Sequence, residues 1–169
     1  MERILLHIFI FLSFSAHATE PYKVVKDYIY EAVPTGDFNH PSWFKAAEEL
    51  KTPLQNNVPW ANYYASFLYT YGAGGFPENL EKAKELSLSS AQAGFVPAML
   101  YQARNYEYGL AAKVNLQKSF YWYEKSAIAG SRSAASRLEA AYSKGELELK
   151  PNIKLAAKWR AEKGECEKP

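Results

Sequence analysis

The sequence predicts an all-α fold of about four stacked helix pairs, and three observations predict it. A motif recurs at a spacing of 36 or 37 residues: Ala61, Tyr69, Gly72, Asn79 and Leu86 return as Ala98, Tyr106, Gly109, Asn115 and Trp122, then as Ala134, Tyr142, Gly145, Asn152 and Trp159. Self-similarity at this period marks helix pairs that bury their apolar faces against one another. Within each copy the alanine and tyrosine stand eight residues apart, about 800° of helical rotation, so both fall on one face. Glycine and asparagine hold fixed positions where a helix should stop and the next begin.

Taken in order, Glu20 to Val33 reads as a helix with Val24, Val25, Tyr28 and Ala32 on one face, stopped by Pro34-Thr35-Gly36. A second helix starts near Asn39 or Ser42 and carries Trp43, Phe44, Ala46, Ala47 and Leu50. Thr52 to Pro59 reads as a polar loop. This pair follows the later motif only loosely, as terminal units do when they cap a stack. In each true copy, helix A spans 60–71, 97–108 and 133–144, and its glycine ends it. The asparagine then caps helix B, which spans 80–93, 116–129 and 153–163. The inward positions of helix B are Ala83, Leu86, Ser90 and Ala91, then Ser119, Trp122, Ser126 and Ala127, then Ala156, Trp159 and Lys163. Gly164 falls three residues out of register and reads as fraying of the last helix.

A length of 169 residues sets one domain as the default, and 48% apolar residues suffice for its core. A net charge of +2 calls for neither nucleic acid nor an anionic surface. Residues 1–18 stand apart: Ile4 to Ser15 is apolar apart from His7, and Ala16-His17-Ala18 is a small-x-small site, so the segment reads as a secretory signal cut after Ala18. The run is short of the roughly 20 apolar residues a spanning helix needs. The expected layout is therefore signal at 1–18, capping pair at 19–58 and repeats at 59–169, with copies at 60–95, 96–132 and 133–164. The expected location is the periplasm.

Chemistry finds few candidates. Cleavage leaves His40 as the one histidine and Cys166 as the one cysteine. Nucleophilic triads and zinc sites both need more. His40 precedes Pro41 at a helix start and reads as a cap. Cys166 reads as a tail thiol, with an interchain bond as the alternative. Gly72-Ala-Gly-Gly75 lacks the lysine of a phosphate loop and reads as a repeat connection. The pairs Glu48/Glu49 and Glu78/Glu81 read as solvated faces. No metal, no cofactor and no catalytic residue is expected, and a monomer is the expected state.

The run Asn115-Leu-Gln-Lys-Ser119-Phe-Tyr-Trp122-Tyr123-Glu-Lys-Ser126-Ala127-Ile-Ala-Gly130, with the preceding Ala98, Tyr106 and Gly109, resembles the Sel1-like repeat, a subclass of tetratricopeptide-like repeats. The resemblance covers about 60–163. It departs from the family pattern where a leucine is usual, at Ala65 and Gln102 (only the third copy has it, Leu138), and where a small residue follows, at Glu139 (the first two copies have Ser66 and Ala103). The third copy is accordingly expected to pack loosely on its outer side. The resemblance implies a right-handed α/α solenoid with a concave face lined by the A helices, acting as a protein-binding adaptor in the bacterial envelope. Small exported relatives also serve as immunity proteins that neutralise a periplasm-targeted toxic effector such as a secreted phospholipase. Disulfide-rich relatives suggest a cell-wall or β-lactam-acting protein, but their paired cysteines are missing here.

On the A helices, the fourth, seventh and eleventh positions lie opposite the Ala/Tyr stripe. They are Tyr64, Phe67 and Tyr71, then Tyr101, Arg104 and Tyr108, then Arg137, Ala140 and Lys144. Tyrosine and arginine dominate interface hot spots. The strip is expected to grip an acidic or extended segment of a partner protein, either an envelope component or a toxic effector.

Overall fold

The computed structural model describes residues 20–165; the expected export signal and Cys166 lie outside them. Among the described residues there are eight α-helices and no strand. They are α1 (Glu20–Ala32), α2 (Pro41–Gln55), α3 (Pro59–Tyr71), α4 (Leu80–Gln92), α5 (Val96–Tyr108), α6 (Leu116–Ile128), α7 (Arg132–Lys144) and α8 (Ile153–Glu165), with a 3₁₀ turn at Val33–Thr35 after α1. The chain gathers into two compact units rather than one, the first ending at Ala83 and the second beginning at Lys84, so the boundary falls inside α4. In helical repeats each pair contacts only its neighbours, and no single core ties the chain together.

The repeat motif turns out to be a closure device. The backbone N–H of Asn79, Asn115 and Asn152 donates to the carbonyl of Tyr69, Tyr106 and Tyr142, each time at 2.8 Å. The same asparagines accept from the next helix's first turn through Oδ1: from Lys82 N–H at 2.9 Å, Lys118 N–H at 2.8 Å, and both Lys154 and Leu155 N–H at 3.1 Å. One residue therefore latches the loop to helix A and caps helix B. Gly72, Gly109 and Gly145 end their A helices at φ 60°, 69° and 75°, a left-handed turn that brings the chain back for that latch.

In the first unit α1 packs on α2, and α2 on α3. The buried stripe of α1 is Val25, Ile29 and Ala32. The sequence pattern has Val25 and Ala32 in this stripe but adds Val24, which is 37% exposed, and the half-buried Tyr28, and misses Ile29. Phe44 is 50% exposed, because Trp43, Ala46, Ala47 and Leu50 already fill the face of α2 turned to its neighbours. The expected loop from Thr52 is also shorter: α2 runs on to Gln55 with Pro53 in its last turn. A proline there forfeits one helical N–H bond, and the turn is closed around it by Asn56 N–H to Thr52 O (3.2 Å) and Val58 N–H to Pro53 O (3.0 Å). His40 is the N-cap of α2, its Nδ1 accepting from Ser42 N–H at 3.3 Å.

In the second unit α5 packs on α6, α6 on α7 and α7 on α8. Ala98, Ala103, Ala134, Ala135, Leu138 and Ala141 are fully buried, and Trp122, Ala127, Ala156 and Trp159 of the B helices are buried as well. Gln102, standing in the slot of a usual leucine, is accommodated by donating to Ser87 Oγ at 3.0 Å. Glu139, the unusual residue of the third copy, accepts from Arg160 Nε at 2.7 Å, so the outer side of that copy is tied by an ion pair. The last helix continues through Gly164 to Glu165.

The glycine-rich connection Gly72–Gly75 packs on α2. A Cβ on Gly74 would stand 2.5 Å from the Trp43 carbonyl oxygen, and its φ is 61°. Gly75 also has positive φ, 82°, but open space around it. Gly74→Ala should therefore cost about 2–4 kcal/mol in urea unfolding, and Gly75→Ala only about 1 kcal/mol, the left-handed penalty alone. Equal losses at the two positions would contradict the close approach.

Candidate partner-binding surface

The A-helix positions singled out from sequence meet different fates in the two units. In the first unit they are largely closed. Tyr64 is 1% exposed, because α1 lays Tyr22 over it at 5.7 Å while Tyr63 packs edge-on at 5.1 Å. Phe67 meets Tyr63 at 5.1 Å and is half-buried. Tyr71 stacks on Phe38 at 5.5 Å and leans on Trp43 at 5.8 Å. The expectation that these three rings line an open face is thus corrected: the N-terminal segment supplies aromatic neighbours to Tyr64 and Tyr71, while Phe67 packs on Tyr63 and Tyr64 of its own helix. Sequence spacing could not foresee it, since the motif does not extend to α1 and α2.

In the second unit the positions divide. Tyr101 is half-buried, Arg104 exposed and Tyr108 59% exposed; they stand at i, i+3 and i+7 on α5 and so share one face. On α7, Lys144 is exposed, with Glu146 at 4.0 Å. Arg137, expected to face a partner, is instead committed within the unit. Its Nε and Nη2 donate to Glu107 Oε1 at 2.9 and 2.6 Å, and its Nη1 donates to Glu146 Oε2 at 2.6 Å. Tyr123 on α6 donates its hydroxyl to the other oxygen of Glu107 at 2.6 Å.

Glu107, Tyr123, Arg137 and Glu146 form a network that no sequence pattern pointed to. Three helices contribute to it, and the repeat places Thr70 and Ser143 in the slots equivalent to Glu107. The Glu107 side chain is 8% exposed, and such a carboxylate requires a partner of opposite charge and satisfied oxygens. Burial opposes the charge of Arg137, but the bonds and attraction of Glu107 and then Glu146 outweigh it and hold the guanidinium more firmly protonated. Burial raises the Tyr123 phenol, and its bond to Glu107 raises it further, while the nearby charge of Arg104 opposes them. Arg104 therefore lies close enough to this network to act on it, yet has no ion pair among the described residues. Its free guanidinium, flanked by Tyr101 and Tyr108, is the feature best suited to a carboxylate from outside.

His40 is a cap, and Glu48, Glu49, Glu78 and Glu81 are exposed. Among the described residues no group of three or more His, Cys, Asp or Glu could hold a metal ion, and no helix is long and apolar enough to cross a membrane.

Latched helix pairs with a buried alanine at each crossing define a helical-repeat protein of the α/α solenoid class. The Sel1 repeat model matches residues 61–95, 96–131 and 134–159, more than half of the chain, and the chain belongs to the Sel1 repeat family. Repeats of this family generally mediate protein–protein interaction. Among solved structures, the chain is similar to a Sel1 repeat protein from Oxalobacter formigenes, with TM-score 0.65 and 24% identity over 85% of this chain and 54% of that one. It is also similar to a protective antigen present in uropathogenic Escherichia coli strains that displays an SLR fold, with TM-score 0.60 and 22% identity over 75% of this chain and 27% of that one. At these identities the likeness is one of fold. The chain spans about half and about a quarter of the lengths of these two proteins. Comparison with curated proteins finds no match.

The buried phenols give a pH dependence with a definite sign. Burial, then a hydrogen bond to Tyr22, raises Tyr64 far above the ordinary tyrosine value, and burial followed by Glu107 raises Tyr123. A raised folded value means the folded chain holds protons that the unfolded chain releases near pH ~10. Their contribution is therefore fully present below about pH 10 and is lost as pH rises beyond it. Denaturant midpoints should fall between about pH 9 and pH 11, and Tyr123→Phe should flatten that slope. A wild-type midpoint that stays constant across this range would contradict the burial of these groups.

Proposed function

We propose that this chain is an exported, non-catalytic protein-binding module of the periplasm that serves as an envelope adaptor or scaffold. It grips an acidic segment of its partner through the A-helix face of the second unit. The observation that carries the reading is Arg104, exposed between Tyr101 and Tyr108 and without an ion pair among the described residues, on a helix whose family works by protein contact. The face offers aromatic area and one unneutralised cation, the pairing enriched at interface hot spots. Export rests on the apolar run Ile4–Ser15 and the Ala16-His17-Ala18 site. The same face would suit a delivered toxic effector, the occupant of an immunity protein.

Affinity capture from a periplasmic extract, followed by mass spectrometry, identifies the partner and the mature N-terminus, expected at Thr19. With that partner in hand, Tyr101→Ala/Arg104→Ala should weaken binding at least tenfold, about 1.4 kcal/mol or more. Arg104→Glu alone should act in the same direction with the melting temperature unchanged, since Arg104 is exposed. Binding unaltered by both variants would remove the assignment. Growth protection on co-expression with a captured toxin would decide for the immunity role.

A further inference from the structure

The whole-chain charge of +2 conceals a division. Residues 1–83 carry six Lys and Arg against nine Asp and Glu, whereas 84–169 carry fourteen against nine. Part of that excess is gathered on one edge of the second unit. The loops 109–115 and 145–152 join α5 to α6 and α7 to α8, and both are drawn back by the same latch to the ends of their A helices. Gln117 at the start of α6 donates to Glu148 in the second loop at 3.2 Å, so the two loops lie side by side.

This edge is apolar at its tips and basic around them. Leu110 is 70% exposed, Val114 59% and Ile153 82%, the last the most exposed large hydrophobic residue among those described. Lys113, Lys118, Lys144, Lys150 and Lys154 are all exposed on the same loops and the helix turns that flank them. The five lysines outnumber the carboxylates of these loops: Glu146 is bound to Arg137 at 2.6 Å and stands 4.0 Å from Lys144, and Glu148, which accepts from Gln117, keeps its charge. The first repeat shows that the fold does not demand this composition. Its equivalent loop, Gly72–Asn79, holds Glu78 and no lysine, and its Phe76 is turned against Tyr69 at 5.0 Å.

We propose that this edge of the second unit docks peripherally on an anionic lipid surface. Separate aliphatic tips standing out from turns, ringed by lysines with long apolar stems, fit the interface of a bilayer better than a protein groove. The tips enter the acyl boundary while the ammonium groups meet the phosphates. Several lysines near an anionic surface add attraction that falls off within a Debye length, so the association is reversible and salt-dependent. This inference does not depend on the partner-binding face of α5.

The test is sedimentation of the full chain with vesicles of phosphatidylethanolamine containing about 30% phosphatidylglycerol, against vesicles of phosphatidylcholine. Binding to the anionic vesicles should be at least about tenfold stronger and should fall steeply as NaCl rises from about 50 to about 500 mM. Leu110→Asp/Ile153→Asp and, separately, Lys113→Glu/Lys150→Glu should each lower it about tenfold with the melting temperature unchanged. Both pairs leave residues 1–18 intact, so binding through that segment would survive them and would overturn the proposal. Ile128→Asp, an exposed position at the far end of α6, should have no effect. Equal binding to the two lipids overturns the proposal, as does loss of protein capture by the edge variants with vesicle binding retained.

Discussion

The close approach of helices over alanine is the constraint on which the rest of the structure depends. Ala61, Ala98 and Ala134 each have no exposed surface, and neither do Ala65, Ala103, Ala135 and Ala141 nearby. A methyl group is all that fits where one helix lies on the next, and interiors packed to crystal-like density do not yield to larger side chains without strain. That fixed separation lets Tyr and Asn perform the backbone latch at one distance in three copies. It also leaves wider gaps one level away, filled by Trp122, Tyr123 and Trp159.

Much of this was legible in the sequence because the determinants are local. Gly72, Gly109 and Gly145 end helices for a reason carried by their own backbone, and Asn79, Asn115 and Asn152 start them for a reason carried by their own side chains. The α3 to α7 boundaries follow from those signals to within one residue. Where a feature depends on distant neighbours, sequence alone fell short. Phe44 matches an apolar stripe yet lies outward, because Trp43 already fills the space. Pro53 has the look of a helix stop, yet sits in a final turn that can do without its missing N–H.

The candidate surface was read with the same partial success. The α5 positions Tyr101, Arg104 and Tyr108 share a face, as their spacing requires. Tyr64 has the same spacing and the same residue type as Tyr101 but is covered by Tyr22, a contact supplied by a helix outside the repeat. Arg137 was recognised as a cation but not as half of an ion pair, since Glu107 comes from a different copy, thirty residues away. A repeat alignment hides such residues: it averages over copies, whereas Glu107 and Tyr123 occur in only one of them. Similarly, Ser119 takes the place of Ala83 and Ala156, and its hydroxyl is buried without a hydrogen bond. These departures from the motif are concentrated in the second unit, the part that offers both an unneutralised arginine and a basic, apolar loop edge.

Close approach over alanine is tested most directly by unfolding Ala98→Leu beside Ala157→Leu. Ala98 lies at a helix crossing with no exposed surface, whereas Ala157 on α8 faces solvent. Ala98→Leu should lose about 1–3 kcal/mol, several degrees in melting temperature, while Ala157→Leu should change stability by no more than about 0.5 kcal/mol. An Ala98→Leu protein as stable as the wild type would contradict the claim that close approach over alanine organises the fold.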